Sequence, residues 1–423
     1  MPKAGKHHSS HMSFVNSIIT TQGLRHLNRA IVLNYIRKFG SLAHTDIGER
    51  TGLASGTVSV ITTEFLEEGV LKKVELAPVK GRGRPRNLFT TRPEFAHIIL
   101  VRVSADKVEY SLVDYSSTLL DRQIVDRDPT QTDAAVFGEL LRCDLREFVA
   151  RSSIPTDGIK VISVTTKGEV DAASRILVWS PIFGDQRIDF RALLARDWNS
   201  VVTLTNEVCF LAHGVMQKNA VAGGGIPEGK QAVLSLSDSI GLGVATMNEQ
   251  GEIELTSPSF GHMVHEINGP LCRCGGNGCL ETFAGFYGIL RTAFDAPKDN
   301  IPAKFIPLGQ MRKVAQSARN GDRMTALAFR QAGTALGACL SRMYNVLGPM
   351  PLTLVGAGLE FYDLFSEGLE EQLGDNFLSR VGQQSQVSLW PNETELAFDS
   401  NAFVSLHAYD RTRVATRRYL REK

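Results

Sequence analysis

The sequence has few cysteines and no long apolar run. Only 6 of its 423 residues are cysteine, and three of these lie between positions 272 and 279, so the pattern argues against a disulfide framework. No stretch approaches the roughly 18 apolar residues of a membrane-spanning helix, and the first residues lack the apolar core of a secretory signal. These absences predict a cytoplasmic protein without a membrane partner.

Neither charge sign dominates the whole chain, whose net charge is +1, but the charges are unevenly distributed. The first 92 residues hold 14 Lys and Arg against 6 Asp and Glu, a net of +8, which leaves a net of −7 for the rest. A basic module on an acidic body predicts a polyanion partner for the first part only. With 43% apolar residues, the chain is long enough for two to four packed domains.

Helix and turn signals crowd into the basic module. A helical stripe from about Leu24 to Phe39 ends at Gly40, a second helix follows from Thr45 to Arg50, and a tight turn precedes a third helix that starts at Ser55. A strand follows, and then a basic run from Lys80 to Arg86 leads into another extended segment. We therefore predict a flexible tail over residues 1–21 and a winged helix-turn-helix DNA-binding domain, mainly α-helical, over residues 22–92.

The third helix and the basic run are the candidate DNA contacts. Val58, Ile61 and Phe65 recur at helical spacing and are predicted to face inward. Small hydroxyl side chains on the rest of the helix can bond phosphates or base edges, and arginines among Gly and Pro can enter a narrow minor groove. The alternatives are a solvated surface helix and a flexible charged loop. The predicted DNA-binding residues are Ser55, Thr57, Ser59, Thr62, Arg82, Arg84 and Arg86.

After residue 92 the pattern changes to α/β. Three consecutive strand patterns precede alternating helices and strands, and a similar order begins again near Gln231. This repetition predicts a two-lobed body of the ribonuclease-H or actin type. The first α/β lobe is predicted at residues 93–212, and the second, with a metal loop, at residues 213–401. A C-terminal helix, at about residues 402–423, is expected to return to the first lobe.

One histidine and three cysteines have the spacing of a metal site. His262 lies ten residues before Cys272, and Cys274 and Cys279 follow within a glycine-rich turn. Zn²⁺ favours tetrahedral sets of N and S ligands, and four protein ligands leave no open position for water. The sequence therefore predicts one structural zinc per subunit, held by these four residues. His265 is a competing fourth ligand, and buried reduced cysteines beside an unrelated histidine are the other alternative.

The metal motif also carries a resemblance. Gly261-His262, the cysteine and glycine run from Cys272 to Cys279, and the following Leu280-Glu281-Thr282 resemble the zinc motif of the ROK family of sugar kinases and sugar-responsive repressors. The run from Thr51 to Ser59 and Gly83-Arg84-Pro85 resemble the repressor branch, such as the xylose and N-acetylglucosamine repressors. The resemblance implies an actin-like fold, a sugar site beside the zinc loop, and homodimers or homotetramers.

The kinase features of this family are only partly kept. Arg102 to Asp106 replace the glycine phosphate loop, which predicts that ATP is not bound there. The catalytic Asp of the kinase Asn-Asp pair is a Glu here. By resemblance the sugar ligands are Asn206, Glu207, His262 and Glu281, whereas Ser259 stands where the family has a Glu, and Lys167 where it has a Pro. Structural polar residues of the cleft are the alternative for these positions.

These observations predict a regulator without catalytic activity. The chain is expected to act as a repressor on a double-stranded DNA operator, with a small carbohydrate effector bound in a kinase-like cleft. The alternative is an ATP-dependent sugar kinase with an added DNA-binding domain. A protein partner docking on the body is a further alternative to the sugar.

Overall fold

The structure, a computed structural model, describes residues 21–75, 87–171, 173–222, 229–248, 252–383 and 385–421. The chain divides into two compact units, residues 1–91 and residues 92–423. Within the described ranges, no helix is both long enough and apolar enough to cross a bilayer.

The first unit combines three helices with a small antiparallel sheet in the strand order β1-β3-β2. The elements are α1 (Thr21–Phe39), β1 (Leu42–Ala43), α2 (His44–Thr51), α3 (Ser55–Glu67), β2 (Leu71–Glu75) and β3 (Asn87–Thr91). Helix α2 ends at Gly52, whose φ of 70° is in the left-handed region. Its start differs from the predicted Thr45, because Ala43 is the N-cap residue and the Asp46 carboxylate accepts a 3.1 Å hydrogen bond from the Ala43 N–H. Strand β1 is too short to leave a sequence pattern.

The second unit begins with a five-stranded sheet in the order β10-β7-β4-β5-β6. Strands β4, β5 and β6 form an antiparallel meander, and β7 and β10 add in parallel on the other side of β4. The elements are β4 (His97–Val103), β5 (Lys107–Asp114), β6 (Leu119–Asp126), α4 (Ala134–Ala150), β7 (Ile159–Thr166), β8 (Glu169–Val170), β9 (Leu177–Trp179), α5 (Phe190–Leu194), β10 (Val201–Asn206) and α6 (Glu207–Ala222).

The next lobe repeats this topology. Its sheet order, β13-β12-β11-β14-β15, again places an antiparallel meander on one side and two parallel strands on the other. The repetition predicted from the strand patterns is therefore present. The elements are β11 (Lys230–Leu236), β12 (Ile240–Met247), β13 (Ile253–Thr256), α7 (Glu281–Ala284), α8 (Phe286–Ala293), α9 (Leu308–Arg319), α10 (Arg323–Leu347), β14 (Leu352–Val355), α11 (Tyr362–Gly374), α12 (Phe377–Arg380) and β15 (Val387–Trp390).

The C-terminal helix, α13 (Glu393–Arg421), returns to the first lobe of the body. It packs on α6 and against β4 and β7, and the hydroxyl of Ser163 on β7 donates a 2.7 Å hydrogen bond to the side-chain oxygen of Asn401. The helix starts well before the predicted position of about residue 402. The cleft described below lies where α6, the β11–β12 turn and the loop after β13 meet.

Candidate functional site

Four side chains of the loop after β13 converge on one point. Nδ1 of His262 lies 3.6 Å from Sγ of Cys272, and Sγ of Cys274 lies 3.8 Å from Sγ of Cys279. All four ligand atoms lie within 4.8 Å of one another. Tetrahedral bonds of about 2.0–2.3 Å to nitrogen and sulfur place ligand atoms roughly 3.5–3.8 Å apart. The donor set and its spacing therefore fit a metal ion.

Backbone geometry explains the glycines of this loop. Gly278 has a φ of 73°, and a Cβ there would lie 1.8 Å from the carbonyl oxygen of Glu266. The Cys272 N–H donates a 2.8 Å hydrogen bond to the Gly276 carbonyl, which closes a turn around Cys274. Since only glycine fits at position 278, the spacing of the ligands depends on it.

Burial favours the uncharged forms of the metal-loop ligands. Burial raises the pKa of Cys272, and burial together with the neighbouring thiols raises the pKa of Cys279. Burial lowers the pKa of His262, so its imidazole is neutral and able to ligate. The Tyr287 hydroxyl lies 3.5 Å from Sγ of Cys272 and donates toward it. A cation would convert the thiols to thiolates, as metal ligation requires.

His265, the competing fourth ligand, lies elsewhere. Its Nδ1 is 3.9 Å from Sγ of Cys339, and its ring packs edge-on against Phe283 at a centroid distance of 4.9 Å. The cluster of possible ligands among the described residues contains His262 instead. His265 therefore packs against Cys339 and Phe283 and does not join the metal cluster.

Glu281, the first residue of α7, connects the loop to the second sheet. It is buried, and its Oε2 accepts a 2.9 Å hydrogen bond from the Ile240 N–H at the start of β12. Burial raises its pKa to about 7, although Arg273, with Nη1 3.9 Å from Oε1 of Glu281, lowers it. The buried carboxyl group thus stands beside the metal loop.

Asn206 and Glu207 occupy the junction between β10 and α6. The Asn206 amide donates a 2.8 Å hydrogen bond to the Gly168 carbonyl, and its oxygen accepts from the Val208 N–H. Glu207 is buried and forms an ion pair with Arg102 of β4, with Nε of Arg102 2.8 Å and Nη2 2.5 Å from Oε1. Glu207 raises the pKa of Arg102 further above its usual range. Arg102, the first residue of the segment that resembles the kinase phosphate loop, thus holds the carboxylate of Glu207.

Lys167 spans the cleft between the lobes and was not among the predicted ligands. Its Nζ lies 2.6 Å from the Ser237 hydroxyl and 2.6 Å from Oδ1 of Asp238 in the β11–β12 turn. Burial lowers the pKa of Lys167, but Asp238 and Glu207 raise it, and the balance is a raised pKa. Lys167 therefore lies between Glu207 on one side of the cleft and Asp238 on the other.

A second pair of contacts crosses the same cleft. The Ser259 hydroxyl donates a 2.6 Å hydrogen bond to Glu169, and the His262 ring meets the Trp179 ring edge-on at 4.8 Å. The predicted sugar ligands thus divide into two sides, Asn206 and Glu207 against His262 and Glu281, joined by these contacts. The sequence did contain a signal for Lys167 and Ser259 as cleft residues, because both positions differ from the kinase pattern.

In the first unit, helix α3 exposes a face different from the one predicted. Ser55 and Ser59 are exposed and Thr57 is partly exposed, as expected for surface contacts. Thr62 is buried, which corrects the prediction that it faces outward. Its hydroxyl donates to the Val58 carbonyl at 2.9 Å and lies 2.9 Å from Nε2 of His44.

The centre of the exposed face of α3 is formed by residues absent from the prediction. Val60 is 55% exposed, and Gly56 and Thr63 are also exposed. Their spacing of three and four residues places them on one stripe, which the helical period alone could have revealed. Arg82, Arg84 and Arg86 lie outside the described residues.

Comparisons with known proteins agree on one family. The ROK family profile matches residues 98–391, well over half of the chain. The xylose repressor of Bacillus subtilis (strain 168) is 22% identical over 381 residues, which cover 89% of this chain and 95% of the repressor. The DNA-binding transcriptional dual regulator NagC of Escherichia coli (strain K12) is 24% identical over 79% of this chain and 81% of its own.

Solved structures support the same architecture. A ROK family transcriptional regulator, a homolog of the E. coli Mlc protein, has a TM-score of 0.70 at 17% identity and covers 92% of this chain and 97% of its own. The ROK hexokinase of Thermus thermophilus has a TM-score of 0.53 at 18% identity, and 98% of that enzyme covers 73% of this chain. The two lobes therefore have the actin-like α/β fold of these proteins, and the chain belongs to the ROK family.

Proposed function

We propose that this protein is a DNA-binding transcriptional repressor whose affinity for its operator is controlled by a small carbohydrate in the cleft of the body. The observation that carries the proposal is the share of this chain that each relative covers. The repressors align with 79–89% of this chain, and the regulator structure covers 92%. The hexokinase structure, by contrast, aligns over 98% of its own length but covers only 73% of this chain. The difference between 92% and 73% is close to the size of the N-terminal unit.

For the N-terminal unit we propose a winged helix-turn-helix over residues 22–92, in which α2 and α3 form the motif. The exposed hydroxyls of Ser55, Thr57 and Ser59 would contact DNA, and exposed Val60 offers an apolar contact to a thymine methyl group. Arg82, Arg84 and Arg86 of the proposed wing would supply affinity that depends on salt but little on sequence. Thr62 is excluded from this set because it is buried.

The symmetry of the operator follows from the proposed assembly. A homodimer or homotetramer would present paired recognition helices, so half-sites should lie about one helical turn, ~34–36 Å, or a multiple apart. In the body we propose lobes at residues 93–212 and 213–392, with the second lobe shortened from the predicted residue 401 because the C-terminal helix, which returns to the first lobe, starts at Glu393.

We propose that the loop holds one structural zinc per subunit, bound by His262, Cys272, Cys274 and Cys279. Four protein ligands with N and S donors support zinc, and they leave no position open for a reacting water. The ring of His262 would bind the metal through one nitrogen, and its other N–H would remain available to a sugar hydroxyl. The zinc loop would thereby orient both His262 and Glu281 toward the cleft.

We propose a ligand-binding, non-catalytic cleft, because two substitutions oppose phosphoryl transfer. The Glu207 carboxylate is engaged by Arg102 and cannot act freely as a base. Ser104 and Ala105 stand where the kinase phosphate loop has its glycines, so their side chains would oppose the close approach of ATP phosphates. Asn206, Glu207, His262 and Glu281 are the partners that we propose for sugar hydroxyls.

Selection of genomic fragments by the full-length protein tests the proposal. We expect one enriched pseudo-palindromic sequence, and we expect Ser59→Glu, which adds a negative charge to the exposed face of α3, to abolish the enrichment. Ser317→Glu, at an exposed position on α9 of the body, is the matched control and should bind as the unaltered protein does. Absence of an enriched sequence, or equal binding by both variants, would contradict the proposal.

A further inference from the structure

Arg273 is a buried cation with an unused donor. It lies between two metal ligands in the sequence, and only 6% of its side chain is exposed. Nε donates a 2.8 Å hydrogen bond to the Ala303 carbonyl, Nη1 donates a 3.0 Å bond to the Asp238 carbonyl, and the guanidinium lies over the Tyr287 ring at 4.6 Å. Nη2 is buried and has no hydrogen-bond partner among the residues that the structure describes. A buried guanidinium with an unsatisfied donor is costly unless a ligand completes it.

A second cation reaches the same turn from the opposite lobe. Lys167 donates to the Ser237 hydroxyl and to Oδ1 of Asp238, each at 2.6 Å. Asp238 therefore contacts both cations, Lys167 through its carboxylate and Arg273 through its backbone carbonyl. An ammonium has three donors, of which these contacts use two. Lys167 thus contacts the Asp238 carboxylate and Arg273 contacts the backbone of the same residue, so an external anion could take the place of this carboxylate at Lys167.

We propose that Lys167 and Arg273 bind the anionic group of the effector, so that the ligand is a carbohydrate carrying a phosphate or a carboxylate. The inference rests on the proposed function, because it names the chemical class of ligand for the same cleft. The anion replaces the Asp238 carboxylate at Lys167 and completes the hydrogen bonds of Arg273 through Nη2. A guanidinium and an ammonium together favour oxyanions, and the carboxylates of Glu207 and Glu281 accept the sugar hydroxyls.

Calorimetric titration of the full-length, zinc-loaded protein tests the inference with three probes of one hexose, namely the neutral sugar, its 6-phosphate and its uronate. The gluco, galacto and manno series are each measured. At least one anionic probe should bind about 10-fold or more tightly than its neutral counterpart, the gain expected from charge-assisted hydrogen bonds. The tighter of the 6-phosphate and the uronate identifies the source of the charge.

Three variants separate anion binding from a structural role. Arg273→Gln and Lys167→Gln should each reduce the affinity for the anionic probe toward that for the neutral sugar. Asp238→Asn removes the internal competitor and should increase the affinity for the anionic probe, a gain that mere damage to the cleft would not produce. Arg312→Gln, at an exposed arginine paired with Glu360, is the control. Zinc content is measured for each variant to verify the loop.

The outcomes distinguish the inference from the function on which it rests. Neutral sugars that bind as tightly as the anionic ones, or a preference for the anion that survives both cation variants, would overturn the inference and leave the carbohydrate cleft standing. Weaker binding of the anionic probe by Asp238→Asn would also overturn it. If no probe of any charge binds, both the anionic ligand and the proposed carbohydrate effector fail.

Discussion

The buried imidazole of His213 makes the stability of the body depend on pH. His213 lies in α6, the helix that begins at Glu207, and only 5% of the residue is exposed. Its Nδ1 is 2.7 Å from the Ser400 hydroxyl on α13, and its ring packs on Phe403 at a centroid distance of 5.4 Å. This contact joins α6, the helix that carries the Glu207 carboxylate, to the C-terminal helix α13.

Burial, with a smaller contribution from the charge of His407, lowers the pKa of His213 from 6.5 to about 4. Because the folded-state pKa is lowered, the fold favours the neutral ring. The resulting stability is complete above pH 6.5 and is lost as the pH falls toward the folded-state pKa of about 4. A shift of this size corresponds to about 3 kcal/mol of the free energy of unfolding, at ~1.36 kcal/mol per pH unit.

Urea unfolding followed by tryptophan fluorescence measures this effect in the body alone, since all three tryptophans, Trp179, Trp198 and Trp390, lie there. His213→Gln keeps a neutral polar side chain but cannot titrate. Between pH 7 and pH 4 the unaltered protein should lose about 3 kcal/mol more stability than this variant. Groups common to both proteins, including the metal ligands, cancel in the difference.

Ser400→Ala provides the control for the hydrogen bond itself. It removes the hydroxyl partner but leaves the imidazole in place, so it should cost about 1 kcal/mol with little dependence on pH. If the unaltered protein and His213→Gln lose the same stability from pH 7 to pH 4, then burial of the neutral ring does not cause the pH dependence of unfolding, and the reasoning is refuted.

Three further predictions concern the proposed site. Metal analysis should give about one equivalent of zinc per chain, which Cys274→Ser should lose and Cys143→Ser, at an exposed cysteine outside the cluster, should keep. In thermal-shift screening of a sugar library, Glu281→Ala should abolish the stabilisation, and shifts that persist unchanged would place the effector outside this cleft. Coupled assays with ATP and hexoses or amino sugars should show no turnover, whereas turnover lost in Glu207→Gln would identify a kinase.

The metal cluster was predictable because all four ligands lie within one short segment. Only a local turn is needed to bring His262 to the cysteines, and the glycines that allow this turn are visible in the sequence. The repeated sheet was predictable for a similar reason, since each meander has short turns and leaves a regular strand pattern. Local signals therefore account for most of the fold.

The error at Thr62 has a physical cause. Its hydroxyl suggested a surface position, but Thr62 follows Val58 by four residues and so lies on the flank that faces the core. A buried hydroxyl is tolerated there because the Val58 carbonyl accepts its hydrogen bond and Nε2 of His44 lies within hydrogen-bonding distance. Side-chain polarity was weaker evidence than helical spacing, and the same spacing places Val60 on the exposed face.

Contacts across the cleft were beyond prediction because their partners are far apart in the chain. Lys167 and Asp238 are separated by 71 residues, and Glu169 and Ser259 by 90. None of these four residues has a distinctive sequence signal of its own. Two of them differ from the kinase pattern, because Lys167 replaces a Pro and Ser259 replaces a Glu.

In the folded protein the departures are paired, which gives them a common explanation. A lysine in place of the kinase proline brings a cation into the cleft, and Asp238 in the β11–β12 turn compensates its charge. Arg102, at the start of the altered phosphate loop, likewise compensates the charge of Glu207. A ligand that enters this cleft must exchange its own contacts for these ion pairs, so its binding free energy is coupled to the contact between the lobes. Under the proposed function, these ion pairs would provide the differential interaction that a ligand-controlled regulator needs.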